Sequence, residues 1–181
     1  MRLPTIAKTF VVLGAALLLA ACGRVERLTD SEEAQADAVA RGALFSADLR
    51  LLGGGSSDLE ALFLAARDLE VTANGQPVFV SYGHPLFDLS ESSNAWLVGR
   101  FDVPKGVTEL HVKLRLDDYG AFAGPAGAGE VAARGAPLEF DCPVSSLAVR
   151  KHAVLHLDLA QSLSVKGSEA QVLTPSFTVN Y

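Results

Sequence analysis

One stretch decides the fold: Leu110-His111-Val112-Lys113-Leu114-Arg115-Leu116. Apolar and polar residues alternate along it without a break. Such a period of two is typical of a β-strand with one buried face and one solvated face. The same alternation recurs at residues 47–51, 153–159 and 177–181. The chain is therefore predicted to consist mainly of strands that pack one face against a core.

Turn signals divide the chain into about eight such strands. Asn74-Gly75 is typical of a hairpin that joins a strand over residues 59–73 to a return strand over residues 78–82. Residues 119–137 are rich in Gly and Ala and form either a long mobile loop or a loosely paired hairpin. No long amphipathic helix separates the strands. We therefore predict an all-β fold, an antiparallel β-sandwich.

Within the strand over residues 59–73, a strict period of two assigns one set of apolar side chains to the core. This set is Leu59, Ala61, Phe63, Ala65, Leu69 and Val71. Leu62 and Leu64 interrupt the polar face, which leaves open that this half of the strand is covered on both sides. Gly53-Gly54-Gly55-Ser56-Ser57, just before it, is predicted to be a loop.

The chain begins with basic residues, Arg2 and Lys8, and with an apolar run of 12 residues from Phe10 to Ala21. A membrane-spanning helix needs roughly 20 apolar residues. The shorter run is typical of the hydrophobic region of a signal peptide. It ends in Leu19-Ala20-Ala21-Cys22, which resembles the lipobox of bacterial lipoproteins at every position.

The lipobox resemblance implies that residues 1–21 are removed and that Cys22 carries two or three acyl chains such as palmitate. Because each buried methylene contributes about 0.8 kcal/mol, two or more chains anchor a protein almost permanently. In enterobacterial lipoproteins an Asp after the cysteine retains the protein at the inner membrane, so Gly23 favours the outer membrane. The expected location is the cell envelope. The alternative is an ordinary secretory signal followed by an incidental cysteine.

Three segments follow from these patterns: a signal peptide at residues 1–21, a polar segment at 22–42 and a β-sandwich domain at 43–181. The polar segment is predicted to be either a flexible tether or a short surface helix. Asp30-Ser31-Glu32-Glu33 can begin such a helix with a capping box, and Gly42 can end it.

Several segments of the domain, taken in order, resemble an uncharacterised domain family of bacterial lipoproteins. They are Leu86-Phe87-Asp88-Leu89, Phe101-Asp102-Val103-Pro104-Lys105-Gly106-Val107, Val154-Leu155-His156-Leu157-Asp158-Leu159 and Leu173-Thr174-Pro175-Ser176-Phe177. The resemblance covers residues 44–181 and departs from the family at Val107, where an aromatic residue is usual. It implies an immunoglobulin-like or transthyretin-like sandwich. Because that family has no established activity, the resemblance implies no catalytic residue.

The chain is acidic, with 15 basic and 21 acidic residues and a net charge of −6. This balance argues against a nucleic-acid partner or an anionic-lipid surface, since both need clustered Lys and Arg. A local basic patch is compatible with it. The chain has two cysteines. If Cys22 carries lipid, Cys142 has no intramolecular partner and is expected to be a half-buried thiol.

Histidines provide the candidate metal ligands. His152, His156 and Asp158 share one face of a predicted strand, and His111 lies on another strand. Residues four apart on a strand are separated by about 13 Å, so His152 and His156 cannot hold the same metal ion. A site made of His111, His156 and Asp158 requires the two strands to be neighbours. The alternative is a solvated polar face.

Three further residues are candidates for ligand binding. Tyr82 and His84 flank a turn that could form a ligand rim, and Trp96 could form a platform for a sugar ring. We find neither a Gly-x-Ser-x-Gly nucleophile elbow nor a phosphate-binding Gly-rich loop followed by a helix, and we assign no catalytic residue and no cofactor.

The predicted function is a membrane-anchored, non-enzymatic binding or assembly module of the cell envelope, with a protein or glycan as its partner. One alternative is a carbohydrate-binding sandwich. The other is a periplasmic metal-binding protein or hydrolase that uses the face of His111, His156 and Asp158.

Overall fold

The structure is a computed structural model. It describes residues 32–55, 59–125, 127–133, 137–166, 169–172 and 175–181. The predicted signal peptide, Cys22 and Asp30 lie outside the described residues.

The described part of the chain contains three helices and fourteen strands. The helices are α1 (residues 32–40), α2 (Val144–Arg150) and α3 (Leu159–Ser162). The strands are β1 (Ala43–Gly54), β2 (Ala61–Ala73), β3 (Gln76–Pro77), β4 (Val80–Tyr82), β5 (Leu86–Asp88), β6 (Trp96–Pro104), β7 (Glu109–Leu116), β8 (Tyr119–Gly124), β9 (Gly127–Ala132), β10 (Leu138–Pro143), β11 (His152–Asp158), β12 (Leu163–Lys166), β13 (Glu169–Val172) and β14 (Phe177–Asn180). None of these helices has the length and apolar content that crossing a membrane requires.

The strands form two sheets that enclose one core, so the predicted all-β sandwich is confirmed. A five-stranded sheet has the order β14-β11-β1-β6-β4. A nine-stranded sheet has the order β10-β7-β2-β8-β9-β13-β12, and β3 and β5 also pair with β2. The buried residues of both inner faces belong to a single hydrophobic cluster. Pairing is antiparallel except for β1 with β11 and β9 with β13.

The strand count exceeds the predicted eight, and some of the additional strands share one long partner, β2. β8 pairs with the first half of β2 and β7 with its second half, in the same antiparallel direction. Between them, the amide of Asp117 donates to the carbonyl of Ala65 at 2.9 Å. Strands β7 and β8 therefore act as one interrupted strand along β2.

The Asn74-Gly75 turn is present, but most of the predicted return strand does not pair with β2. Both residues have positive φ (52° and 75°), as a tight two-residue hairpin turn requires. Gln76–Pro77 pairs back with β2, and the amide of Val78 donates to the carbonyl of Val71 at 3.0 Å. After Val78 and Phe79 the chain crosses to the other sheet, where β4 pairs with β6. The prediction of a hairpin strand over residues 78–82 is therefore wrong.

In β2, even-numbered side chains face the core in the first half of the strand and odd-numbered side chains face it in the second half. Leu69 and Val71 are buried as predicted, but in the first half Leu62 and Leu64 are buried and Phe63 is 39% exposed. The register of β2 with β7 shifts between Ala66 and Asp68. A β-bulge inserts one residue and so exchanges the two faces of a strand. The predicted inward position is therefore wrong for Phe63, and Ala61 and Ala65 are only half-buried, whereas Leu59, just before β2, packs against the core as predicted.

Gly53 and Gly54 lie within β1 and not in the predicted loop. A Cβ atom on Gly53 would overlap the backbone of Leu89, and one on Gly54 would lie 2.5 Å from the Nε2 atom of His156. Glycine occurs here because neighbouring groups approach the strand closely.

The Gly/Ala-rich segment forms a paired hairpin. Strands β8 and β9 pair in register from Tyr119 with Ala132 to Gly124 with Gly127. The hairpin alternative is confirmed, and the alternative of a long mobile loop is wrong for the described residues.

Helix α1 packs against the sandwich. The Nε2 group of Gln35 donates to the carbonyl of Ser46 (2.8 Å), and the Ser46 amide donates to Gln35 Oε1 (3.1 Å). Ala38 is fully buried. Arg41, just after the helix, donates through Nε and Nη2 to both carboxylate oxygens of Asp102 at 2.7 and 3.1 Å. The helix alternative therefore describes residues 32–40.

Candidate binding cleft

A polar cleft of about 480 Å³ lies against the outer face of the five-stranded sheet, with helix α1 at one side. Its floor is formed by outward side chains of β1, β6 and β11, because the alternate residues of these strands are in the core. Asp48 and Arg50 of β1 alternate with the buried residues Ala47, Leu49 and Leu51. The alternation that builds the core therefore also builds the cleft.

Strand register places three charged or polar residues side by side. Asp48 lies opposite Arg100 of β6 on one side and opposite His152 of β11 on the other. The three residues therefore form a row across neighbouring strands. Cross-strand neighbours of this kind interact directly.

Asp48 holds two arginines in the cleft. Its Oδ1 accepts from Nε of Arg100 at 2.7 Å, and its Oδ2 accepts from Nη2 of Arg50 at 3.3 Å. The Asp48 side chain is only 15% exposed. The Nε atom of Arg50 is buried and has no hydrogen-bond partner, and no other described side chain has such an atom. One carboxylate thus holds two guanidinium groups, and its single negative charge offsets only one of their two positive charges.

The turn between α2 and β11 adds the side chain of Lys151 to the two arginines. Lys151 ends α2 in the left-handed conformation (φ 55°, ψ 29°), and its amide donates to the carbonyl of Leu147 at 2.7 Å. The amide of Asp48 donates to the carbonyl of Lys151 at 2.9 Å and ties this turn to β1. Nδ1 of His152 lies 3.0 Å from the carbonyl of Arg150. Because a carbonyl only accepts, Nδ1 carries the hydrogen and Nε2 is the remaining polar atom of the ring.

The charge of the cleft is opposite to that of the whole chain. Among the described residues, four Arg and Lys side chains line it together with two carboxylates, those of Glu32 and Asp48. The four cations are Arg50, Arg100, Arg150 and Lys151. The net charge of the chain is −6. The cleft is therefore a local basic patch on an acidic protein, and it attracts anions.

Sequence reasoning missed this cleft. The basic run Arg150-Lys151-His152 was visible, and so was the outward position of Arg50 on its strand. What was not visible is that β1 and β11 are parallel neighbours, although about a hundred residues separate them. A crossover between non-adjacent strands leaves no local signal.

The structure does not bring the predicted metal ligands together. His111 lies on β7 in the nine-stranded sheet, where Nδ1 is 2.9 Å from Oδ1 of Asp141 on β10. His156 and Asp158 lie on β11 in the other sheet. The two strands are not neighbours, so the requirement for this site is not met. Among the described residues no group of three or more His, Cys, Asp and Glu is arranged to hold a metal ion.

The predicted aromatic residues are partly brought together. His84 and Trp96 pack edge to face, with ring centres 5.8 Å apart. The indole N–H of Trp96 donates to the carbonyl of Asp88 at 2.7 Å, which fixes the ring. The side chain of Tyr82 is 61% exposed, and its hydroxyl donates to Asp68 at 3.1 Å. A role of these residues as a ligand rim stays a prediction.

Cys142 is fully buried and not half-buried as predicted. Burial raises the pKa of its thiol to about 11, and a hydrogen bond with Tyr181 opposes this shift only in part. Burial also raises the pKa of the Tyr181 hydroxyl. Because the thiolate is the reactive form, Cys142 is expected to be inert.

Alkylation should show this directly in the full-length Cys22→Ser chain, where Cys142 is the only thiol. At pH 8 a thiol with a pKa near 8.5 is about one quarter ionised, whereas a pKa of about 11 leaves roughly one thousandth as thiolate. We expect iodoacetamide to modify the folded protein at least about 100-fold more slowly than the protein in guanidinium chloride. Similar rates in the two conditions, measured by intact mass, would contradict the buried position.

Comparison of the chain with protein-family models, with curated proteins and with solved structures found no match to any of the three.

Proposed function

We propose that this chain is a lipid-anchored binding module of the cell envelope, which holds a ligand in the cleft between α1 and the five-stranded sheet. The observation that carries the proposal is the cluster of cations fixed in that cleft. Strand register and Asp48 hold the side chains of Arg50 and Arg100, and hydrogen bonds hold the backbone of the turn at Lys151. Polar groups held in place before a ligand arrives are the basis of small-molecule recognition.

The chemistry of the cleft favours binding over catalysis. Guanidinium groups stay protonated in proteins, so arginines attract and orient an anion but do not exchange protons with it. Arg50 and Arg100 have this property, and both are held by the same carboxylate. Such a cluster is suited to recognising a negatively charged ligand.

The anchor is supported by the sequence pattern that ends in Leu19-Ala20-Ala21-Cys22. Helix α1 is the first described element after that cysteine, and it also forms one side of the cleft. The proposed anchor and the proposed binding site are therefore close along the chain. Gly23 favours delivery to the outer membrane.

The anchor is tested by producing the full-length chain in a bacterial host that is labelled with palmitate. We expect the wild-type chain to take up label and to lose residues 1–21, because the thiol of Cys22 accepts the first lipid. The Cys22→Ser chain should take up no label and should keep its leader, since a hydroxyl does not replace the thiolate nucleophile. Intact mass and radiolabel are the measurements.

The matched control is Cys142→Ser, which makes the same substitution at the other cysteine of the chain. It should be labelled as strongly as the wild-type chain. Label on the Cys22→Ser chain, or its loss in Cys142→Ser, would contradict an anchor at Cys22. Sucrose-gradient separation of the two membranes tests the outer-membrane location in the same experiment.

A further inference from the structure

The cleft contains more cationic charge than its own carboxylates neutralise. Asp48 offers two oxygens, and each is already used by one arginine. Its single negative charge offsets only one of the two guanidinium groups. The buried Nε of Arg50 has no acceptor within the described part of the chain. The Arg50 side chain as a whole is 43% exposed, so an anion in the cleft can reach its guanidinium and form charge-assisted hydrogen bonds with it.

The donors approach the cleft from three separate segments of the chain. Arg50 comes from β1, Arg100 from β6, and Arg150 and Lys151 from the end of α2 and the turn after it. A carboxylate presents two oxygens in one plane, and the carboxylate of Asp48 already bonds both Arg50 and Arg100. A phosphate presents three or four oxygens in a tetrahedral arrangement, and these can accept from several directions at once. Arg and Lys are the side chains that proteins use for this group.

We propose that this cleft is a phosphate-binding site, occupied by the phosphate of a small soluble ester or of a lipid headgroup. This inference rests on the proposed function, because it names the ligand class of the same cleft. The acidic net charge disfavours a broad anionic membrane surface, whereas one phosphate in the cleft needs only the local cluster. The volume of about 480 Å³ is that of a small-molecule site.

The test is calorimetric titration of the full-length protein, purified in a non-ionic detergent, with defined probes. Inorganic phosphate and glycerol 3-phosphate represent soluble phosphate, and dihexanoyl phosphatidylglycerol represents a lipid headgroup. Malonate is the carboxylate probe. We expect at least one phosphate probe to bind at least about tenfold more tightly than malonate. The affinity should fall when NaCl is raised from about 0.05 M to about 0.5 M, because salt screens the attraction.

Variants connect the binding to the cleft. Lys151→Gln removes an exposed charge and keeps a side chain of similar length, so we expect the fold to be retained. Arg50→Gln removes the guanidinium with the unsatisfied Nε. Each change should weaken phosphate binding at least about tenfold, since hydrogen bonds to charged groups are among the stronger ones. Arg115→Gln is the matched control, because Arg115 is exposed on β7 in the other sheet. It should bind as the wild-type chain does, and thermal unfolding of each variant reports on folding.

The two sources of phosphate, a soluble ester and a lipid headgroup, give different results. Binding of the soluble probes alone assigns the site to a soluble phosphate ester, and tighter binding of phosphatidylglycerol assigns it to a headgroup. The inference is overturned if no phosphate probe binds, if malonate binds as tightly, or if folded Lys151→Gln and Arg50→Gln chains bind as the wild type does. Its failure differs from a failure of the proposed anchor, since palmitate labelling at Cys22 does not depend on the cleft.

Discussion

Replacing Leu62 with alanine is expected to lower the free energy of unfolding by about 2–5 kcal/mol. The Leu62 side chain is fully buried in the core between the sheets. Truncation removes apolar contacts and leaves a cavity that the packed neighbours fill only in part. The adjacent residue, Phe63, is expected to tolerate the same substitution much better. Phe63 is 39% exposed, so Phe63→Ala is expected to cost about 1 kcal/mol or less.

The measurement is chemical denaturation of the two variants and the wild-type chain, followed by circular dichroism. The two variants test which face of the first half of β2 points to the core. Without the bulge between Ala66 and Asp68, a strict period of two would bury Phe63 and expose Leu62. A larger loss of stability in Phe63→Ala than in Leu62→Ala would place Phe63 in the core and contradict the bulge.

Gly53→Ala is expected to destabilise the protein by about 3 kcal/mol or more, at the upper end for overpacking. A Cβ atom at Gly53 would overlap the carbonyl of Leu89 and lie 2.8 Å from the Leu89 Cβ atom. Leu89 cannot move away easily, because it is fully buried and its amide donates to the carbonyl of Leu62 at 2.8 Å. The melting temperature should fall by roughly 6–12 °C, since each kcal/mol is worth about 2–4 °C in a chain of this size.

Gly106→Ala is the control for the loss of a glycine as such. Gly106 has φ +77°, and a Cβ atom there would meet nothing within 4 Å. Its replacement should therefore cost only the left-handed strain of roughly 1–2 kcal/mol. Thermal unfolding of both variants separates backbone strain from close approach. Equal melting temperatures would mean that β1 does not lie against Leu89.

The strands with regular alternation could be predicted from the sequence. Leu110, Val112 and Leu114 are buried on β7, and Leu155 and Leu157 are buried on β11, as their period of two requires. Side-chain direction along a strand is a local property, so a local pattern is sufficient to predict it.

The departures from prediction arise where non-local contacts decide. The bulge in β2 shifts register without a Gly or Pro to mark it in the sequence. Gly53 and Gly54 were predicted to lie in a loop because the sequence does not show why glycine is needed there. Each of them is in close contact with a residue that is distant in the sequence. β4 leaves its expected partner because it pairs with β6 in the other sheet.

The candidate site depended even more on tertiary structure. The sequence indicated only that a basic patch was compatible with the acidic chain. The cleft exists because the parallel pairing of β1 with β11 brings Arg50 near Lys151 and His152. The histidine hypothesis failed for the same reason, because His111 and His156 are on strands of different sheets.

The docking of helix α1 sets how far an anchored domain can move from the bilayer. A free segment over residues 23–42 would reach about 70 Å when fully extended, at about 3.5 Å per residue. With the helix packed on the sandwich, nine residues, 23–31, separate Cys22 from the first residue of the helix. Whatever their conformation, they span at most about 32 Å. If Cys22 carries the proposed anchor, the volume that the domain can explore is about tenfold smaller than with a free segment, and its effective concentration toward any ligand at the membrane is correspondingly higher.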